Sequence, residues 1–307
     1  MRNLKAKCQR LLKGGYVSFL SYAKINLFLD ITGRREDGYH FIRSLFVPVS
    51  LFDVLQVRLT SGKGINIECD EKWFDLENNS LKKAYDLFSD EIGLKMGINI
   101  RLIKNIPAGS GLGGASSDAA TLLNILNILT KLKNGISLDY KKLLQLSARV
   151  GADVPFFIKG KPAFVEGIGD KLTEVKLKDD FYIVIIAPDV PFYTEKMYKE
   201  FDRLNRLTKV RKGDRHLPPF LGYRYIIDSV FNVFETVIRG SNRRLVMDLK
   251  RSLIGYGAEA AALSGSGSAV FGLFKNALDA CLAFFRLSRD FINYRVFPVR
   301  VLREGRL

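Results

Sequence analysis

The segment Pro107-Ala108-Gly109-Ser110-Gly111-Leu112-Gly113-Gly114-Ala115-Ser116-Ser117-Asp118 places four glycines and three serines ahead of a strongly helical stretch. Glycines let the backbone come close to a ligand with its N–H groups turned inward. The helix end beyond them adds unpaired N–H groups and a positive dipole end. Serine hydroxyls can donate to phosphate or help hold a metal. So many glycines are costly in chain entropy for a plain connection, so the segment reads as an anion cradle for phosphates. It is not a Walker A loop, because Gly-x-x-x-x-Gly-Lys-Ser/Thr occurs nowhere in the chain. It is not a dinucleotide fingerprint either, because the glycine spacing is wrong and no early βαβ unit surrounds it. A lysine for phosphoryl transfer must therefore come from elsewhere. A second loop, Ser264-Gly265-Ser266-Gly267-Ser268, either closes over the same phosphates or is a simple turn. Asp153 sits in Gly151-Ala152-Asp153-Val154-Pro155-Phe156-Phe157, a carboxylate among apolar residues. Burying an unpaired charge is costly, so Asp153 is either hydrogen-bonded structurally or has a chemical task. A lysine opposite would keep it ionised and ready to accept a proton.

These residues need elements to hold them. From Lys24 the chain alternates, sending Lys24 and Asn26 to one face of a strand and Ile25, Leu27 and Leu29 to the other. Strands are expected over Tyr16–Ile31, Phe41–Leu59, Ile65–Cys69 and Ile98–Ile103. Helices are expected over Asn79–Glu91, Ser117–Leu132 and Tyr140–Val150, the last closed by Gly151 as a left-handed cap. Short strands flank a Gly-x-Gly turn within Ala163–Val175, and Phe181–Ala187 reads as a buried strand. The second half predicts helices near Glu195–Leu204, Tyr225–Ile238, Arg243–Tyr256 and Ala277–Leu287, with strands over Ala269–Phe274 and Tyr294–Val301. Strands and helices intersperse without regular alternation, which favours an α+β fold with a boundary near Lys178–Phe181.

The 307 residues allow about two domains, with 47% apolar and 26% charged residues, an ordinary globular mix. No apolar run approaches the ~18 residues of a membrane span. Cys8, Cys69 and Cys281 lie far apart, giving neither a disulfide framework nor a zinc site and fitting a reducing compartment. The two histidines, His40 and His216, exclude a multi-imidazole metal centre. Residues 1–23 have the outline of a signal peptide, but Gly14, Gly15, Ser18 and Ser21 interrupt the apolar stretch, and a basic extension is the plainer reading. The net charge of +16 is spread along the chain, with basic runs in residues 1–13, in the segment Arg203–Arg215 and near the C-terminus. These segments lack the aromatic stacking pattern of an RNA reader, which argues against nucleic-acid binding as the main function.

Together the motifs resemble the GHMP kinase superfamily, whose phosphate loop reads Pro-x-Gly-x-Gly-Leu-Gly-Gly-x-Ser-Ser. Within it, Ala23-Lys24-Ile25-Asn26-Leu27-Phe28-Leu29, Gly33-Arg34 and Asp37-Gly38-Tyr39-His40 look like the opening of the kinases that phosphorylate cytidine-diphospho-methylerythritol. Asn79-Ser80-Leu81 with Lys83-Ala84 is similar to their adenine-side helix start, Gly151–Phe157 to their catalytic segment, and Ala163–Gly169 and Ser264–Phe271 to later motifs. The resemblance spans Tyr16 to Phe274. It departs at the longer basic N-terminus, at Ala115 in place of a common Gly, at Val233 in place of an acid, and at the basic insert 203–219.

The resemblance implies two domains, residues 1–178 like the second domain of ribosomal protein S5 and residues 179–307 ferredoxin-like. It implies ATP-dependent phosphorylation of the substrate's 2-hydroxyl in the non-mevalonate isoprenoid route, with ATP and Mg²⁺ as cofactors. Asp153 would be the general base and Lys24 its partner. Pro107, Gly109, Ser110, Gly111, Leu112, Gly113, Gly114, Ala115, Ser116, Ser117 and Asn79 would bind ATP, with Ser116 or Ser117 nearest the metal. Asn26, Tyr39, His40, Thr194, Tyr198, Gly265, Ser266 and Gly267 would bind substrate, with the cytosine between Tyr39 and Tyr198 and His40 on the base edge. The implied enzyme is cytoplasmic, a monomer or homodimer, and needs neither nucleic acid nor membrane. A homoserine- or mevalonate-type kinase is the competing reading. Gly38-Tyr39-His40 and the early Lys24 weigh against it.

Overall fold

Residues 17–60 are rich in β-branched and aromatic side chains, which suit a pleated, half-buried surface, and they form the longest hairpin of the molecule. The computed structural model describes residues 2–205 and 220–303. Its elements run α1 (Arg2–Leu11), β1 (Val17–Arg34), β2 (His40–Thr60), β3 (Gly64–Cys69), α2 (Ser80–Ile92), β4 (Gly97–Ile103), α3 (Gly114–Asn134), α4 (Tyr140–Val150) and α5 (Val154–Lys159). Then come β5 (Ala163–Gly167), β6 (Lys171–Glu174), β7 (Lys176–Leu177), β8 (Tyr182–Ala187), α6 (Thr194–Asn205), β9 (Phe220–Leu221), α7 (Tyr223–Ser229) and β10 (Phe231–Asn232). A 3-10 turn at Val233–Thr236 leads to α8 (Gly240–Gly255), β11 (Ala260–Leu263), β12 (Val270–Phe274), α9 (Ala277–Asp290) and β13 (Arg295–Arg300).

The first sheet runs β10-β1-β2-β4-β3, with β5 also paired to β2 and to β6, and the second runs β11-β12-β8-β13. Ile25, Leu27 and Val47 of the first share one apolar cluster with Ile183, Ile185 and Phe271 of the second. Burial of those side chains, worth about 25 cal/mol per Å² of apolar surface, binds the two sheets face to face. The helices α2, α3 and α4 bury Leu81, Phe88, Leu122, Leu126 and Leu146 in the other large cluster. The fold is α+β, as expected.

Several local expectations change. Three irregularities of register interrupt the β1–β2 pairing, between Tyr22 and Lys24, Asn26 and Phe28, and Ile31 and Gly33. A bulge inserts one residue and reverses the alternation beyond it. Leu29 therefore lines the same cavity as Lys24 and Asn26 rather than sharing the far side with Ile25 and Leu27. Gly151 is not a left-handed cap. Its φ of −175° and ψ of 157° are extended, and its N–H still reaches Ser147 O at 3.2 Å. The helix expected over Tyr225–Ile238 stops at Ser229, because Phe231–Asn232 pairs in parallel with Phe28–Leu29 of β1. Asn232 Oδ1 then accepts from Phe234 N and starts the 3-10 turn. The basic N-terminus forms a helix, burying Leu4, Cys8 and Leu11 in the core that holds α3. The basic insert beyond Asn205, Arg206–Pro219, lies outside the described residues.

Candidate active site

The glycine loop joins β4 to α3, and Gly113 enters the helix in the left-handed conformation at φ +76°. The loop glycines make room for protein as well as for ligand. A Cβ on Gly111 would lie 2.0 Å from Ser264 O, and one on Gly113 would lie 2.8 Å from Phe157 Cζ. Gly111 thus lets the two glycine-serine loops interlock. Ser264 Oγ donates to Gly111 O at 3.1 Å, and Ala269 N donates to Ser110 O at 3.1 Å. Asn232 Nδ2 braces the second loop through Leu263 O and Gly265 O, both at 2.8 Å. The reading of Ser264–Ser268 as part of the phosphate-loop assembly fits this arrangement better than a simple turn.

The loop walls a cavity of about 320 Å³ whose lining includes Lys24, Asn26, Pro107–Ser116, Asp153, Thr194, Tyr198, Gly265 and Ser266. Lys24 and Asp153, 129 positions apart in sequence, meet there with Nζ 3.4 Å from Oδ2. Lys24 Nζ also donates to Asn26 Oδ1 at 2.6 Å and lies 4.6 Å from the centre of the Phe46 ring. Asn26 Nδ2 donates to Ser44 Oγ at 3.0 Å, which fixes the amide so that its oxygen faces the lysine. Burial pushes the Lys24 ammonium below the usual lysine range, and Asp153 pulls it back in part. The Lys24 side chain is 4% exposed and that of Asp153 is 31% exposed, so the carboxylate is the member open to the cavity. Asp153 precedes α5 and makes no side-chain cap bond. Asp153 is thus an ion-paired carboxylate that faces open space.

Thr194 Oγ1 and Ser266 Oγ lie 2.8 Å apart in the lining of the same cavity. Tyr198 stacks on His40, with centroids 4.6 Å apart and planes at 22°. Burial raises its phenol to about 12. His40 Nε2 lies 2.6 Å from Asp202 Oδ1, a partner that the sequence did not suggest. The expected sandwich is therefore altered: His40 covers a face of Tyr198, while Tyr39 is 63% exposed on the β1–β2 turn. Neither Tyr39 nor His40 lines the cavity, nor does Gly267.

Asn79 lines a second cavity of about 750 Å³ beside the first, and Trp73, Lys104 and Ala115 border both. Asn79 is the N-cap of α2. Its Oδ1 accepts from Lys82 N at 2.8 Å, and its Nδ2 donates to Asp75 O and Leu76 O. Its hydrogen-bonding groups thus serve the cap, a use that an Asn just ahead of a helical stretch signals in sequence. Trp73, the sole tryptophan, carried no motif that would have marked it. Ser117 is buried and its Oγ donates to Tyr22 O at 2.7 Å, so of the two candidate metal-side hydroxyls only Ser116 faces the cavity. Among the described residues no group of three His, Cys, Asp or Glu side chains could hold a metal by itself. No helix among them is long and apolar enough to cross a membrane.

A phosphate-type loop at a helix start, a second loop locked onto it and an amine–carboxylate pair in the shared cavity define a GHMP-type kinase site. The family model for the GHMP kinases N terminal domain matches residues 79–161, and that for the GHMP kinases C terminal domain matches residues 228–293. Curated relatives named 4-diphosphocytidyl-2-C-methyl-D-erythritol kinase include that of Syntrophotalea carbinolica, 39% identical over 94% of this chain and 99% of its own. That of Lawsonia intracellularis is 40% identical over 82% and 86%. A crystal structure titled 4-(cytidine 5'-diphospho)-2C-methyl-D-erythritol kinase superposes with TM-score 0.66 at 28% identity, covering 93% of this chain and 99% of that one. A homoserine kinase from Cytophaga hutchinsonii superposes with TM-score 0.68 at 19% identity, covering 94% and 96%, and shares the fold alone. The chain belongs to the 4-diphosphocytidyl-2-C-methyl-D-erythritol kinase family.

Proposed function

We propose that the protein transfers the γ-phosphoryl group of ATP to the 2-hydroxyl of 4-diphosphocytidyl-2-C-methyl-D-erythritol, releasing ADP, in the non-mevalonate route to isoprenoid precursors. The observation that carries the reading is the Lys24–Asp153 pair, 3.4 Å apart in a cavity walled by the glycine loop. The relatives supply the substrate. The fold does not discriminate, because a homoserine kinase superposes as well as the cytidine-substrate kinase does.

In this mechanism the backbone N–H groups of Gly109–Ala115 cradle the ATP phosphates at the start of α3. The acceptor hydroxyl lies against Asp153, which takes its proton as the oxygen attacks the γ-phosphorus. The bond to the ADP oxygen breaks as the new one forms. Lys24 holds Asp153 ionised and offsets charge on the transferring group. Asn26 positions Lys24, and Thr194 and Ser266 contact the substrate's phosphates. Ser116 and the ATP phosphates together form a donor set that suits Mg²⁺, which keeps several waters and takes few protein ligands. When bound, the metal supplies charge neutralisation at the phosphates. Tyr39, exposed on the β1–β2 turn, would meet the cytosine from outside the cavity, and His40 would act through Tyr198. The catalytic segment falls in residues 1–178, and residues 179–307 bring the second loop. ADP release measured with the cytidine substrate against homoserine and mevalonate tests the reading. Turnover only with the cytidine substrate supports it, and turnover with either of the others contradicts it.

A further inference from the structure

Thr194, Tyr198 and Asp202 recur at every fourth residue of α6, so they share one side of the helix. Thr194 and Tyr198 line the cavity of the Lys24–Asp153 pair, and Asp202 follows one turn later. The outward side of α6 is charged and pairs within the helix, Glu195 with Lys199 and Glu200 with Arg203. The inward side is tied down at both ends. Thr194 Oγ1 meets Ser266 Oγ of the second loop at 2.8 Å. Asp202 meets the β1–β2 hairpin, with Oδ1 2.6 Å from His40 Nε2 and Oδ2 3.3 Å from Arg34 Nη1.

The carboxylate therefore joins two parts of the hairpin to α6. Arg34 Nε also donates to Gly38 O at 3.4 Å, which links Asp202 to the turn that carries Tyr39. His40 is nearly enclosed, with its side chain 7% exposed. Its ring stacks on Tyr198 and meets Phe201 edge-on, centroids 6.1 Å apart at 87°. An ionised carboxylate only accepts, so His40 donates from Nε2 whether or not the ring is charged, and the ring plane is fixed. Tyr198 rests between that plane and Phe234, which it meets edge-on at 5.0 Å. An exposed ion pair contributes little, but this one holds an enclosed ring whose stacking partner is part of the cavity wall. We propose that Asp202 is a positioning residue for the cytidine end of the substrate. By holding His40 and Arg34 to α6, it sets the distance between Tyr198 on the helix and Tyr39 on the hairpin turn. The inference rests on the cytidine-substrate reading given above. None of Asp202, His40 and Arg34 lines the cavity, so removing the carboxylate leaves the groups that face the reaction in place.

Steady-state kinetics on the full chain test this, with thermal melting confirming that each variant is folded. Asp202→Ala should raise KM for the cytidine substrate about 10-fold, the loss expected of one charge-assisted hydrogen bond, while kcat at saturation and KM for ATP hold. Asp202→Asn keeps one acceptor where two are needed. Its KM should rise less, and it carries the same test where the alanine variant does not fold. Competitive inhibition by cytidine diphosphate should weaken by the same factor, whereas inhibition by ADP should not. His40→Ala should add little to Asp202→Ala, because the carboxylate acts through the imidazole. An unchanged KM for the cytidine substrate in a folded variant overturns the proposal. So does an equal weakening of cytidine diphosphate and ADP, which would make Asp202 a general prop of the fold, and so do losses at Asp202 and His40 that multiply. A wild type that turns over ATP with homoserine or mevalonate, and not with the cytidine substrate, contradicts the underlying reading and this proposal with it.

Discussion

Two lysines lie buried on either side of the glycine loop, and both meet carboxylates, but the balance of charge differs. Lys24 has one acid, Asp153, whose side chain is 31% exposed to the cavity, and an amide, Asn26, on its other side. Lys104 has two acids, Asp53 and Asp118, the latter at 2.8 Å, and their side chains are no more than 3% exposed. Asp53 Oδ1 also accepts from Asn105 N at 2.6 Å and Ile106 N at 2.8 Å. The Lys104 cluster thus staples β2, the entry to the glycine loop and the first turns of α3 into one unit. The Lys24 cluster leaves an acceptor facing open space. A buried pair closed on itself serves position, while one with an open carboxylate can exchange a proton with a ligand.

Substitutions at the two clusters should therefore fail in opposite ways. Asp153→Asn should lower turnover by at least about 10²-fold with the melting temperature held, in line with general-base contributions. Near-normal ADP release from that variant would erase the distinction. Lys104→Met should show the reverse, a loss of about 3–5 kcal/mol in denaturant unfolding, because two carboxylates stay buried without their cation. A Lys104→Met protein as stable as wild type would mean that the staple is not one. Gly111→Ala tests the coupling between the two loops. A Cβ there meets Ser264 O in a left-handed backbone at φ +77°, so about 1–3 kcal/mol should be lost together with a raised KM for ATP. An unchanged KM would separate the second loop from the nucleotide.

The smallest effect sharpens the comparison through pH. Burial above all, with repulsion from Asp53, raises the Asp118 carboxyl to about 7 against the pull of Lys104. The unfolded chain releases this proton near 3.8 while the folded chain holds it, so the group costs stability as pH rises from about 4 to about 7. Asp118→Asn removes that titration and leaves Lys104 paired with Asp53. Its melting temperature should fall less than that of the wild type across the same window. Parallel curves would show that Asp118 does not carry the proton.

Much of this was legible in the residues. The loop, the helix after it and the lone carboxylate at Asp153 stand out because glycine, serine and an acid in apolar company are locally unusual. What escaped notice depends on distant pairing. Leu29 changes side because a bulge forms only against β2, and α7 ends early because Phe231–Asn232 finds the edge of β1. Local spacing carries neither partner. Likewise Asp53 and Lys104 are 51 residues apart, and nothing around either announces the other. The stack of His40 on Tyr198 joins β2 to α6 across a gap three times as long, so the residues alone offer Tyr198 as the ring opposite Tyr39 without the imidazole that covers it.

The central claim is that Lys24 and Asp153 act as one unit on the acceptor hydroxyl. A double-mutant cycle on kcat for ADP release, with Lys24→Met, Asp153→Asn and both together, measures it directly. Residues acting as a unit are strongly non-additive. The double variant is predicted to be about as slow as the slower single one. Losses that multiply, as for two independent sites, would contradict the account.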